Sequence, residues 1–115
     1  MVRPKTTRYV DVGICTSTGV LAGKLEDVRP GVKNEGFWNV KRVPMRLGEP
    51  GVRGRLFFAT NGYWRGYFAL DTNVVPNRGD TEKPYALIFY LDTWTEIEKI
   101  PVKAFRGFRY LEGMP

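Results

Sequence analysis

The sequence predicts a mainly β fold of the α+β kind, in which strands curl toward a small barrel. Three observations predict it: an Asn-Gly turn between aromatic runs at 55–70, an alternating apolar stretch at 8–15, and a continuously apolar one at 85–91. Asn61-Gly62 supplies the two residues tolerant of positive φ that a two-residue type I′ turn requires. RLFFATNGYWRGYFAL is therefore a hairpin, expected to place Thr60 opposite Tyr63, Phe58 opposite Arg65 and Leu56 opposite Tyr67, with Ala59 opposite Trp64 and Phe57 opposite Gly66 on the other side. Both faces of that hairpin are apolar, which calls for cover on both, as in a small barrel whose second face meets a helix or loop. Gly66 marks a bend or bulge in the return strand, or a close approach by another backbone or a ligand.

In chain order, 1–7 reads as a mobile basic arm. Arg8 to Cys15 alternates, with Val10, Val12 and Ile14 on one side and Tyr9, Asp11, Gly13 and Cys15 on the other, the pattern of a half-buried strand. Thr16-Ser17-Thr18 offers helix N-caps, and Gly19 to Val28 follows as a short helix or turn that must end before Pro30. Gly31 to Gly54 holds five Gly and two Pro and reads as a long, partly extended connection in which Phe37 to Val43 pairs briefly as a strand. Asp71 to Pro84 is a polar loop, Tyr85 to Leu91 a central strand, and Thr93 to Ile100 a strand, with a short helix as the alternative. Pro101 to Pro115 docks through some of its aromatic residues.

At 115 residues, 43% of them hydrophobic, the chain suits one folded domain, 1–115. No stretch reads as a secretory signal or a membrane span, so a cytoplasmic location is expected, with no membrane partner. A single Cys15 and no His leave no zinc pattern and no His-activated nucleophile, so neither a metal nor a cofactor is expected. Cys15 reads as a small buried residue rather than a nucleophile. The absence of Gln and the 11 Arg point to a thermophilic source. The net charge of +6 is uneven: residues 1–70 hold 12 basic and 5 acidic side chains, 71–100 hold 3 and 6. A polyanion is thus the first partner to consider, beside a solvated basic surface without one.

Three places interleave aromatic and basic residues: Phe37-Trp38 before Lys41-Arg42, Tyr63-Trp64-Arg65 with Tyr67, and Phe105-Arg106 with Phe108-Arg109-Tyr110. Single-stranded nucleic acid calls for that combination, since bases stack on rings while guanidinium groups meet phosphates. The site expected from it has Lys41, Arg42, Arg46, Arg65, Arg106 and Arg109 on phosphates and Trp38 and Trp64 as stacking platforms. RNA is preferred over duplex DNA, because no recognition helix is visible.

The order GKLEDVR, then GEPGVRGRLFFATNGYWRGYF, then ALIFYLDTW and a closing KAFRGFRYL resembles the PUA-like superfamily, which includes ASCH and EVE domains. Gly54 to Phe68 matches best, although Arg55 stands where those domains carry an acidic residue after the glycine. Gly23, Lys24, Glu26 and Arg29 are similar to the Gly-Lys…Glu…Arg segment of ASCH domains. The resemblance implies a mixed barrel of five or six strands with one or two short helices, and RNA or nucleotide binding in a cleft beside the barrel. It also implies an alternative, an ASCH-like hydrolase or nuclease with Lys24 and Glu26 as catalytic residues. A binding domain is preferred to an enzyme, and a module for an acidic protein partner is the third reading.

Overall fold

The computed structural model describes residues 8–26, 28 and 34–115; the expected arm at 1–7 and Arg29 of the GKLEDVR segment lie outside them. Strand β1 (Arg8–Thr16) leads into helix α1 (Thr18–Glu26), followed by β2 (Glu35–Val40), a 3₁₀ turn at Met45–Gly48, β3 (Val52–Thr60), β4 (Tyr63–Pro76), β5 (Tyr85–Pro101) and β6 (Phe108–Leu111). The six strands form one sheet curled into a half-barrel, in the order β2-β5-β4-β3-β1-β6. β1 and β3 run parallel and every other pairing is antiparallel. This is the small mixed β architecture expected, with one helix. Ser17 starts that helix as anticipated, its hydroxyl accepting the Val20 N–H at 3.2 Å. Among the described residues no helix is long and apolar enough to cross a membrane.

At the hairpin tip Asn61 and Gly62 adopt φ of 53° and 84°, as a type I′ turn demands. Thr60 pairs with Tyr63 and Ala59 with Trp64 as expected, but beyond them the register differs: Phe58 faces Gly66, Phe57 faces Tyr67 and Leu56 faces Phe68. Arg65 is the extra residue of a β-bulge. It is turned out of the ladder, and its Nε donates to the Thr60 hydroxyl at 3.0 Å. Gly66 is required by what lies beside it, since a Cβ there would sit 2.3 Å from the Thr95 carbonyl oxygen and 2.8 Å from the Trp94 ring.

β5 unites the two strands expected at Tyr85–Leu91 and Thr93–Ile100, and β4 takes in the first half of the expected loop, leaving 77–84 to connect them. Their pairing slips between Tyr67 and Ala69. There the Thr93 hydroxyl accepts the Ala69 N–H at 2.7 Å and donates to the Tyr90 carbonyl at 2.6 Å. One side chain thus restores hydrogen bonds that the irregular ladder drops, and such irregularities let a long two-stranded ribbon bend.

The inner face carries the main core. Phe58, Phe68 and Phe89 are fully buried, with ring centroids 5.3, 5.6 and 5.0 Å apart, and Leu21 of α1 closes over the cluster. Each such phenylalanine contributes about 1.5–3 kcal/mol by leaving water. The outer face of the hairpin carries a second cluster, Phe57, Ala59 and Trp64, covered by Val102, Phe105, Leu111 and Met114. The 101–115 segment therefore does dock through aromatics. Its cover makes β1 buried on both faces where the alternation predicted one: Val10, Val12 and Ile14 point inward, and Asp11 on the opposite face is 8% exposed. A Cβ on Gly13 would meet the Trp64 ring at 2.4 Å, so the indole packs directly over the β1 backbone there.

Candidate functional site

A half-barrel leaves two unpaired edges, here β2 and β6, and the residues lining the open seam come from both. β2 runs out at Val40 into Lys41 and Arg42, and Pro44 then starts the turn that carries Met45 and Arg46. Opposite them, Gly107 at φ 73° redirects the chain into β6, which presents Phe108, Arg109 and Tyr110. Between these segments lies a cavity of about 1050 Å³, lined by Lys41, Arg42, Arg46, Arg109, Val43, Met45, Tyr85, Phe108 and Tyr110. A second cavity of about 620 Å³ adjoins it, sharing Lys41, Arg42 and Phe108 and adding Cys15, Trp38, Asn39, Val40, Glu82, Lys83, Phe105, Arg106 and Gly107. Together they form one trough along the seam.

Three of the six cations of this trough are held on rings. The Arg109 guanidinium lies 4.4 Å from the Phe105 centroid, Arg46 5.1 Å from Tyr110 and Arg42 5.7 Å from Phe108. A guanidinium stacked face-on keeps its N–H edge open and loses less rotamer freedom when that edge meets an anion. The Arg46 main-chain N–H also donates to the Tyr110 hydroxyl at 3.1 Å, tying the turn to β6 across the seam. Charge compensation is sparse. Arg46 has carboxylates at 4.0 Å (Glu49) and 3.5 Å (Glu112), whereas among the described residues Lys41, Arg42, Lys83, Arg106 and Arg109 have none within salt-bridge distance. Glu82 is the one acidic residue in the lining.

Six of the residues expected from sequence thus converge: Trp38, Lys41, Arg42, Arg46, Arg106 and Arg109. Trp38 is half-buried, its ring edge-on to Phe58 at 5.7 Å, and it remains a wall of the smaller cavity. Trp64 and Arg65 do not join them. Trp64 is 5% exposed beneath Phe105 and so has no face to offer a base, and the bulge commits Arg65 to Thr60 and to the Tyr63 ring at 5.6 Å.

Lys24 and Glu26 also fall outside. Lys24 is half-buried, its ammonium 5.3 Å from the Phe89 centroid and 5.8 Å from Trp38, while Glu26 is exposed at the end of α1. Neither lines the trough. Glu82, Lys83, Tyr85 and Asn39 were not singled out from sequence; a tertiary fold is needed to bring the 77–84 loop to β2.

A third cavity, of about 460 Å³, opens over the start of β1 and β3. Two arginines line it, Arg53 and Arg55, and Arg55 is already engaged: Asp11 takes two hydrogen bonds at 2.7 Å and the Pro115 carbonyl one at 2.8 Å. Tyr9, Tyr67 and Phe57 box its guanidinium at 4.5, 4.9 and 5.1 Å. The bond to Asp11 raises the Arg55 pKa above its ordinary value against the opposing effect of burial. Asp71, on the rim of the same cavity, accepts the Tyr90 hydroxyl at 2.6 Å and, with burial, pushes that phenol up to about 12. Among the described residues no group of three acidic or cysteine side chains is placed to hold a metal ion. In comparisons with known proteins, no family model, no curated sequence and no solved structure matches this chain.

Proposed function

We propose that the chain is a nucleic-acid-binding domain that holds single-stranded RNA in the trough between β2 and β6. The observation that carries this reading is the set of ring-stacked, uncompensated cations converging from both sheet edges on one continuous groove. Uncompensated positive charge in a concavity attracts a polyanion, and arginines fixed on rings are prepared to grip phosphates. A single strand fits better than a duplex because the seam offers half-exposed Tyr85 and Tyr110 and the wall of Trp38, at which unpaired bases can stack, and among the described residues no helix stands out to enter a groove. The half-barrel is also the architecture expected of the PUA-like domains that the sequence resembles, and the proposal extends to that kinship.

The test is fluorescence anisotropy with a labelled single-stranded RNA across a salt series. Each phosphate neutralised on a single strand adds about −0.7 to the slope of log affinity against log salt, so engagement of all six trough cations predicts a slope of roughly −4. Affinity then falls a few hundred-fold between about 50 and 200 mM salt. Arg42→Ala and Arg109→Ala each flatten the slope by about 0.7, whereas Arg65→Ala leaves it unchanged. Absence of binding at about 50 mM salt overturns the proposal.

A further inference from the structure

Resting on that reading, we infer that the smaller cavity seats a nucleobase and that Glu82 reads it in favour of guanine. The trough is chemically divided: no carboxylate lines its larger cavity, and Glu82 lines the smaller one. Phosphates are repelled by a carboxylate, so the backbone of a bound strand follows the lysines and arginines of the trough and keeps off Glu82, toward which a base can turn. At about 620 Å³ the smaller cavity has room for a base, with the Trp38 ring in its wall.

Glu82 is suited to the reading role for two reasons. Its carboxylate makes no ion pair or hydrogen bond among the described residues, although Lys41, Arg42, Lys83 and Arg106 line the same cavity, so both oxygens are open acceptors. Its backbone is also fixed, because the Asp80 carboxylate accepts the N–H groups of Glu82 and Lys83 at 2.9 Å each and Asn77 closes the loop through the Lys83 carbonyl at 2.8 Å. A carboxylate can only accept. Guanine offers it two adjacent donors, N1–H and the 2-amino group, for a bidentate charge-assisted pair. Uracil offers one N–H between two carbonyls, and adenine and cytosine each offer one amino group beside a ring acceptor.

The experiment compares oligouridines carrying a single guanosine, inosine, adenosine or cytidine, on the wild type and on Glu82→Gln, by anisotropy at low salt. The guanosine oligomer should bind about tenfold more tightly than the uridine, adenosine and cytidine ones, the scale of one bidentate base contact. Inosine, which lacks the 2-amino group, should lose most of that advantage. Glu82→Gln should abolish the preference while binding plain oligouridine at least as tightly as the wild type, a gain that a merely structural role for Glu82 would not produce. Equal affinity for all the oligomers, or a guanosine preference that survives Glu82→Gln, overturns the base-reading role and leaves RNA binding standing. Failure of every oligomer to bind overturns both.

Discussion

Asp11→Ala removes the carboxylate that holds Arg55 on the outer face of the sheet, and the structure sets the size of the effect. The two side chains are 8% and 13% exposed and meet through two bonds of 2.7 Å. An exposed ion pair is worth under about 1 kcal/mol, but removing one partner of a buried pair costs about 3–5 kcal/mol, because the survivor keeps an uncompensated charge out of water. Arg55 cannot readily swing into solvent, boxed as it is by Tyr9, Phe57 and Tyr67, yet it retains the Pro115 carbonyl and the ring faces. The expected loss is therefore at the lower end, about 3 kcal/mol. Urea unfolding followed by circular dichroism measures it, with an unchanged m-value as the sign that only stability moved. Asp11→Leu combined with Arg55→Met should recover most of the loss, since an apolar replacement of a whole buried pair is often neutral. A cost below about 1 kcal/mol for Asp11→Ala, or a double variant as unstable as the sum of its single changes, refutes the reasoning. RNA affinity should be unaffected, because neither residue lines the trough.

Gly13→Ala drives a methyl group into the Trp64 indole, whose nearest carbon would be 2.4 Å away, and should cost about 1–3 kcal/mol as overpacking; a melting temperature within a degree or so of wild type would mean that the indole moves aside freely. Tyr90, raised from 10.0 to about 12 by its bond to Asp71, should be among the last phenols to ionise in an ultraviolet titration. Because the folded pKa is the higher one, the bond's contribution to stability is full below pH 10 and is lost as the pH rises toward about 12. Tyr90→Phe should remove that late step, and an unchanged titration curve would contradict the assignment. Arg65→Ala should leave RNA binding intact while lowering stability by about 1 kcal/mol, the worth of its bonds to Thr60.

The hairpin was legible because Asn61-Gly62 dictates its turn locally, and the strands at 8–15, 85–91 and 93–100 because their patterns are local too, whereas β6 and the extension of β4 to Pro76 carry no such pattern. Gly66 marked a bulge or a close backbone approach in the return strand, and both are found; that the bulge takes up Arg65 was not legible, since it answers to the approach of Thr95 and Trp94 on a different strand. Trp38 and Trp64 look alike in sequence, each in an aromatic run near basic residues. They part company only through the outer layer: Trp64 is roofed by Phe105 and seated on Gly13, whereas Trp38 sits on an edge strand at the seam. The same distinction explains why Lys41, Arg42, Arg106 and Arg109 were identified from composition alone, while their convergence depends on strand order, which places β2 and β6 at opposite edges of one curled sheet. Glu82 lies within the stretch 71–84 that reads as a polar loop, and nothing local sets it apart.

The three tryptophan indole N–H signals offer the most direct test of the trough as the binding site. In a ¹⁵N-labelled sample titrated with a single-stranded guanosine-containing RNA at low salt, the account predicts that the Trp38 indole shifts together with amides of 38–46, 82–85 and 105–110. The Trp64 and Trp94 indoles, packed in the outer and inner layers, should stay in place. Shifts centred on Trp64, Arg65 and the hairpin tip, or an unchanged spectrum at saturating RNA, would contradict it.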